Sequence, residues 1–244
     1  YGLGTYGSRS TPVAGAATAM AGRKIRAKAQ MIAAYLLEVH DNDVEWDVDR
    51  FVVKGAPERF KTMKEIAFAS YNQAIPGVEP GLEAVSYYDP PNMTYPFGAY
   101  ICVMEIDVDT GTTEIRQVYA LDDCGTRINP MIIEGQVHGG VAQGIGQALF
   151  ENCMYEENTA QLINGSFMDY TMPRADNVPH MIVETEVTPC AHGLGVKGCG
   201  EAGAIAAPPA VIHAILDALK EKGITEFDMP ATPNKIWNAI NNKS

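Results

Sequence analysis

One carboxylate set in a glycine-rich loop, Gly195-Val196-Lys197-Gly198-Cys199-Gly200-Glu201, is the part of this sequence best suited to chemistry. Glycines let backbone approach a ligand closely and adopt conformations closed to other residues. A glutamate held there with little water around it is a candidate general base. The same Glu201 stands ahead of an apolar helix expected to open at Pro208, where the positive end of the helix dipole would favour a plain surface anion. Spacing alone leaves both readings open.

Two further glycine-rich segments bear on the choice. A helix expected from about 131 to 150 contains Gly135, Gly139, Gly140, Gly144 and Gly146, each costing about 0.5–1 kcal/mol relative to Ala in a helix interior. Close approach by another backbone or by a large ligand would offset that cost. Gln136, Gln143 and Gln147 fall near one stripe of this helix and could offer donors and an acceptor to a heterocycle edge; tight helix packing with solvent-facing amides is the other explanation. The opening loop, Gly2 to Thr11, places Ser8, Arg9 and Ser10 among successive backbone N–H groups ahead of a helix, a plausible phosphate cradle. It is neither a P-loop, since no Gly-Lys-Ser/Thr follows, nor a Rossmann fingerprint, since no strand precedes it. A loop with hydroxyls and Arg, a helix with glutamines and a loop with a carboxylate together point to a buried polar cofactor bearing a phosphate.

The elements that position these groups read as follows. Thr11 and Pro12 start a long Ala-rich helix to about Glu38, with Arg23, Lys24, Arg26 and Lys28 on a solvated face. Residues 44–54 alternate as two short strands, and Thr62 to Asn72 is a short helix. A Pro/Gly-rich connector ends in Asp89-Pro90-Pro91-Asn92. Beyond it, residues 98–107 and 113–122 form an antiparallel hairpin turning at Asp109-Thr110-Gly111. Further strands are expected over 166–172 and 181–188, and a further helix over 208–222. Without regular βαβ alternation the fold class is α+β.

Composition sets limits. The chain has 244 residues, 46% of them apolar, enough for real cores, and a formal net charge of -12. That charge disfavours a nonspecific grip on nucleic acid or anionic membrane. Five widely spaced cysteines, Cys102, Cys124, Cys153, Cys190 and Cys199, form no CxxC pair, which argues against a disulfide framework or a zinc site. No export signal and no run of about 18 apolar residues is present, and a cytoplasmic location, extending to the inner face of the membrane, is expected. The sequence starts at Tyr1 inside a glycine loop and reads as the later part of a longer polypeptide.

Four segments, Gly4-Thr5-Tyr6-Gly7-Ser8-Arg9-Ser10-Thr11-Pro12, Asp122-Asp123-Cys124-Gly125-Thr126-Arg127-Ile128-Asn129-Pro130, Gly135-Gln136-Val137-His138-Gly139-Gly140 and Val196-Lys197-Gly198-Cys199-Gly200-Glu201, together resemble the C-terminal molybdopterin-binding portion of the large subunit in the xanthine oxidase family. Within that family they look most like its carbon-monoxide-oxidising branch. The resemblance covers essentially the whole chain, in order. It implies the α+β molybdopterin-binding fold, with residues 1–85 as the end of a first subdomain and 86–244 as a second. It implies molybdopterin cytosine dinucleotide carrying molybdenum, iron-sulfur and FAD subunits as electron acceptors, and a dimer of heterotrimers. Carried over residue by residue, Gly4, Thr5, Tyr6, Gly7, Ser8, Arg9, Ser10 and Thr11 contact the cofactor, Gln136 hydrogen-bonds it near the metal end, and Lys197 positions it or neutralises nearby charge. Glu201 is the carboxylate beside molybdenum, and no residue here is a metal ligand.

Two departures bear on the substrate. Ala202-Gly203-Ala204 looks more like the hydroxylases of the family, and Val141-Ala142-Gln143-Gly144-Ile145-Gly146 resembles the broader family more than its carbon-monoxide-oxidising members. The copper-binding cysteine lies on a loop that the resemblance places upstream of Tyr1, and none of the five cysteines matches its motif; Cys199 is expected as a small buried side chain. Carbon monoxide is the leading substrate, an aldehyde or N-heterocycle hydroxylase the first alternative, and a noncatalytic cofactor-binding domain the second.

Overall fold

The computed structural model describes residues 4–241, so Gly2 and Leu3 of the opening loop lie outside the described residues. The chain divides into two compact units, Val13–Pro90 and Tyr1–Pro12 together with Pro91–Ser244.

In the unit Val13–Pro90, the Ala-rich run is α1, Ala16–Leu37, which starts later than its Thr11-Pro12 signal because Ser10–Gly15 form a wider π-type turn with Pro12 buried. It stops at Glu38, whose φ of 54° lets its N–H reach the carbonyls of Ala34 and Tyr35. Arg23, Lys24 and Arg26 are exposed, as expected, and Lys24 donates to the Val85 carbonyl at 2.8 Å. Strands β1, Val44–Asp47, and β2, Arg50–Val53, pair antiparallel. An unexpected edge strand, β3, Ala56–Thr62, pairs with β2; its residues are mostly exposed, so no alternation marks it. Helix α2, Met63–Asn72, opens on a capping box between Thr62 and Glu65. Ile32, Phe51 and Ile66 are fully buried at the centre.

The second unit carries β4, Phe97–Ile106, and β5, Thr113–Asp123, as the expected hairpin, with β6, Met181–Glu186, parallel to β5. Helix α3, Pro130–Ile145, continues into a π-type turn to Phe150. Helix α4 is Ala202–Leu219 and α5 is Pro233–Asn241. Val137, Val141 and Ile145 of α3, Val211, Ile215 and Leu219 of α4, and Val118 and Ala120 of β5 form one core. With the turn after it, α4 (Ala202–Lys222) is long and apolar enough to cross a membrane, yet here Val211, Ile215 and Leu219 place it in that core.

Two sequence expectations are corrected. Residues 166–172 are turns instead of a strand. The Tyr170 N–H donates to the Ser166 carbonyl at 2.8 Å and the Met168 N–H to Ser166 Oγ at 3.3 Å, local bonds that compete with strand pairing, and Phe167 and Met168 are exposed. The helix expected over 208–222 begins at Ala202 rather than Pro208, with Pro208 and Pro209 inside it. A proline inside a helix needs room for its ring, and Gly144 supplies it: a Cβ there would lie 2.8 Å from Pro208 Cδ.

The glycines of α3 divide by what faces them. A Cβ on Gly140 would stand 2.8 Å from the Ala204 amide nitrogen, and one on Gly203 would stand 2.7 Å from the Val141 nitrogen, so the two helices meet backbone to backbone. Gly135 and Gly139 meet nothing within 4 Å. Tight packing therefore explains Gly140 and Gly144.

The end of β5 anchors two loops. Asp123 is fully buried and accepts from the Gly125 N–H at 2.8 Å, the Thr188 N–H at 3.3 Å, the Thr188 hydroxyl and Lys197 Nζ at 3.0 Å. The Lys197 side chain is itself 9% exposed. The backbones of the two loops bond as well, Lys197 N–H to the Cys124 carbonyl at 2.8 Å and Thr126 N–H to the Gly195 carbonyl at 2.9 Å. Gly125 and Gly195, both at φ 67°, lie where a Cβ would strike the facing loop. Burial alone raises the Asp123 pKa, but the bonds from Thr188, Gly125 and Lys197 outweigh it and hold the carboxyl at about 2, against an ordinary 3.8.

Two outcomes follow for thermal unfolding measurements. Gly203→Ala costs about 2–3 kcal/mol, because the new methyl meets immovable backbone, whereas Gly139→Ala adds about 0.5–1 kcal/mol. Equal effects would mean the helix crossing is not backbone-limited. The Asp123 contribution, about 2 kcal/mol, is complete above pH 4 and is lost as pH falls toward 2, since the folded-state pKa is depressed. Asp123→Asn abolishes that acid dependence and costs about 3 kcal/mol at neutral pH by stranding Lys197; an unchanged acid-unfolding curve would count against the brace.

Candidate functional site

A cleft of about 430 Å³ opens where three loops and the first turns of α3 converge in the unit built around β4–β6. That volume is of the order of sites for small molecules and cofactors, roughly 300–1,000 Å³. One wall is the loop 5–11, another the loop 124–129 leading into α3, and a third the segment 196–201. The Asp123–Lys197 pair holds the second and third walls together. Asn129 caps α3, its Oδ1 accepting from the Ile132 N–H at 3.3 Å, with Pro130 following; the cap aims Ile132 and Gln136, one turn apart, into the cleft.

Of the residues nominated from sequence, Thr5, Tyr6, Ser8, Ser10, Thr11, Gln136, Lys197 and Glu201 line the cleft. Gly4, Gly7 and Arg9 do not line it. Gly4 and Gly7 serve the loop's shape with φ of 75° and 58°. The Arg9 guanidinium turns inward, donating to the Gly4 carbonyl at 2.8 and 3.1 Å and lying 4.0 Å from the centre of the Tyr6 ring. Its charge thus ties the loop. The Thr5 and Ser10 hydroxyls sit 2.7 Å apart across the same loop.

Glu201 occupies the N-cap position of α4, with its carbonyl accepting from the Ile205 N–H at 3.1 Å, but its side chain makes no capping bond to its own helix. Oε2 instead accepts from the Ser8 hydroxyl at 2.9 Å. The water-poor setting expected from sequence is not met by these residues, since Glu201 is exposed. Lys197 is engaged with Asp123, with Nζ also 4.7 Å from the centre of the Phe97 ring, so charge neutralisation is what its geometry shows.

Residues that were given no role from sequence also line the cleft, Cys124, Thr126, Asn129 and Ile132, as does Cys199, which is half-buried where a buried side chain was expected. Most lie inside the quoted Asp122–Pro130 segment, where loop chemistry was legible but individual roles were not. Burial pushes the Cys199 thiol up, with Cys124 and Asp122 adding to it, and burial likewise raises Cys124; both stay protonated thiols at neutral pH. Burial also raises the Asp122 carboxyl, opposed by a hydrogen bond from the Tyr100 hydroxyl at 2.5 Å. Among the described residues no cluster of three or more His, Cys, Asp or Glu is placed to hold a metal ion. Hydroxyls, loop amides and the Gln136 amide suit a ligand with its own hydrogen-bonding edges.

Residues 1–179 match the family described as the molybdopterin cofactor-binding domain. The chain is 58% identical over 238 residues to the carbon monoxide dehydrogenase large chain of Afipia carboxidovorans, covering 97% of this chain and 29% of that one. It is 39% identical over 243 residues to the nicotine 6-hydroxylase large subunit of Paenarthrobacter nicotinovorans, covering 98% and 30%. The crystal structure of a Cu,Mo-CO dehydrogenase in its carbon-monoxide-reduced state superposes with a TM-score of 0.89 at 57% identity, over 98% of this chain and 30% of that one. The chain thus spans about 30% of the length of the curated relatives it matches. The family match takes in the first two walls of the cleft and Gln136, and the longer alignments take in the Glu201 loop. The chain belongs to the molybdopterin cofactor-binding domain family, as part of a large subunit of the xanthine oxidase type.

Proposed function

We propose that this chain is the cofactor-holding, carboxylate-bearing portion of a molybdenum oxidoreductase that oxidises carbon monoxide with water to carbon dioxide, releasing two electrons and two protons. The observation that carries the reading is the 58% identity to a carbon monoxide dehydrogenase large chain across 97% of these residues, against 39% to a nicotine hydroxylase. The cleft fits the cofactor: the loop 5–11 brings backbone N–H groups and the Thr5, Ser10 and Thr11 hydroxyls to a phosphate-bearing pterin, and Gln136 brings both donors and an acceptor. When bound, the cofactor supplies a molybdenum centre able to accept the two electrons.

The chain's own part is binding and proton handling. Gln136 fixes the pterin edge. Glu201, at the N-terminus of α4, takes one of the two protons from water on Oε1, Oε2 being occupied by Ser8. Lys197 keeps the Glu201 loop in register with the loop after β5 through Asp123. The cytosine dinucleotide form, iron-sulfur and FAD subunits that accept the electrons, a dimer of heterotrimers and a cytoplasmic location complete the proposal. Copper belongs to it through the solved relative that names it, with its ligand on a loop outside these 244 residues.

A hydroxylase of an aldehyde or N-heterocycle is the second reading, supported by the nicotine hydroxylase relative. The Ala202-Gly203-Ala204 departure adds little to it, because the packing against α3 already requires Gly203.

In the complete enzyme carrying this chain, purified protein containing molybdenum and copper in near-equal amounts and turning over carbon monoxide supports the first reading. Molybdenum without copper, with turnover of aldehydes or N-heterocycles, supports the second. Glu201→Gln lowers kcat by about 10³-fold or more with molybdenum content unchanged; parent-like turnover removes Glu201 from the mechanism. Gln136→Ala lowers molybdenum content at unchanged thermal stability, and equal metal loading in variant and parent would end its assignment to the cofactor.

A further inference from the structure

Ser8 differs from the other hydroxyl residues of its loop. Its φ is 54°, in the left-handed region that a residue with a Cβ occupies only when its surroundings hold it there. Those surroundings are glycines. A Cβ on Gly198 would lie 2.7 Å from Ser8 Cβ, and a Cβ on Gly200 would lie 3.3 Å from both Ser8 Oγ and Gln136 Nε2. Two glycines of the carboxylate loop thus clear the seat that Ser8 fills. From it the hydroxyl donates to Glu201 Oε2 at 2.9 Å, across 193 residues of sequence. A serine hydroxyl has one proton to give, and in this arrangement it goes to the carboxylate.

Glu201 needs such a partner. It is exposed, and its flexible side chain makes no bond to its own helix terminus. A base must stand within hydrogen-bond reach of the proton it removes, and small errors of placement are costly in rate. We propose that Ser8 is a positioning residue for Glu201, resting on the reading of Glu201 as the base: its hydroxyl pins Oε2 so that Oε1 faces the cleft and receives the proton. The glycines at 198 and 200 are then the clearance that brings the two loops to hydrogen-bonding distance.

The test is made in the complete, cofactor-loaded enzyme with Ser8→Gly, which deletes the hydroxyl while suiting the left-handed backbone, and with Ser8→Ala as its companion. The expected result for both is a kcat lowered by about 10- to 100-fold, with KM and molybdenum content within about twofold of the parent. Glu201→Asp shortens the carboxylate out of reach of Ser8, so adding Ser8→Gly to Glu201→Asp slows the enzyme no further. A loss of molybdenum in proportion to the loss of activity would overturn the proposal in favour of a cofactor-holding hydroxyl. So would an unchanged kcat, or a full additional loss in the Glu201→Asp background. Parent-like turnover of Glu201→Gln would instead remove the base itself, whereas an inactive Glu201→Gln beside additive Ser8 effects would remove only the role of Ser8.

Discussion

The approach of α3 to α4 through bare backbone is the constraint on which the rest of the site depends. Gly140 and Gly203 leave no side chain between the helices, and Gly144 admits the ring of Pro208 into the same seam. Gln136 lies one turn before this contact on α3, and Glu201 lies two residues before it on α4. The separation of the amide from the carboxylate is therefore set by helix packing, which is stiff because well-packed interiors deform little. A single methyl at the crossing would move both groups apart at once.

Charge does for the loops what glycine does for the helices. Asp123 and Lys197 are both withdrawn from water and matched to each other, with Thr188 and the Gly125 amide filling the remaining acceptor sites. A pair of this kind adds little net stability, since desolvation offsets the attraction, but either partner left alone is heavily penalised. Its effect is specificity: the loop after β5 and the loop before Glu201 have one arrangement that satisfies both charges. Ser8, reaching in from the first loop, then meets a carboxylate whose backbone is already fixed.

Much of this was legible in the sequence where the signals are local. The hairpin of β4 and β5, the short helix from Thr62 and the start of α3 near 131 all rest on signals within a few residues. The glycine-rich loops announced a close approach, and their motifs announced the family. What sequence did not show depends on distant partners. The edge strand β3 carries no alternation, β6 joins β5 in parallel from far along the chain, and the start of α4 at Ala202 became possible only because Gly144 makes room for Pro208. Asp123 stood in a quoted motif, yet Thr188, which bonds it, lies 65 residues away. Arg9 looked like a phosphate ligand by composition, and its Nε and one Nη donate to the Gly4 carbonyl within the loop.

That commitment has a thermodynamic side. The first loop is tied across itself by Thr5 with Ser10 and by Arg9 with Gly4 and Tyr6. Ordering one residue costs about 1–2 kcal/mol of conformational entropy, and here much of that ordering happens when the chain folds instead of when a ligand arrives. On a protein of net charge -12, the loop offers little long-range attraction to a phosphate. Selectivity at this wall must then come from short-range fit, and the rate of capture should respond only weakly to ionic strength.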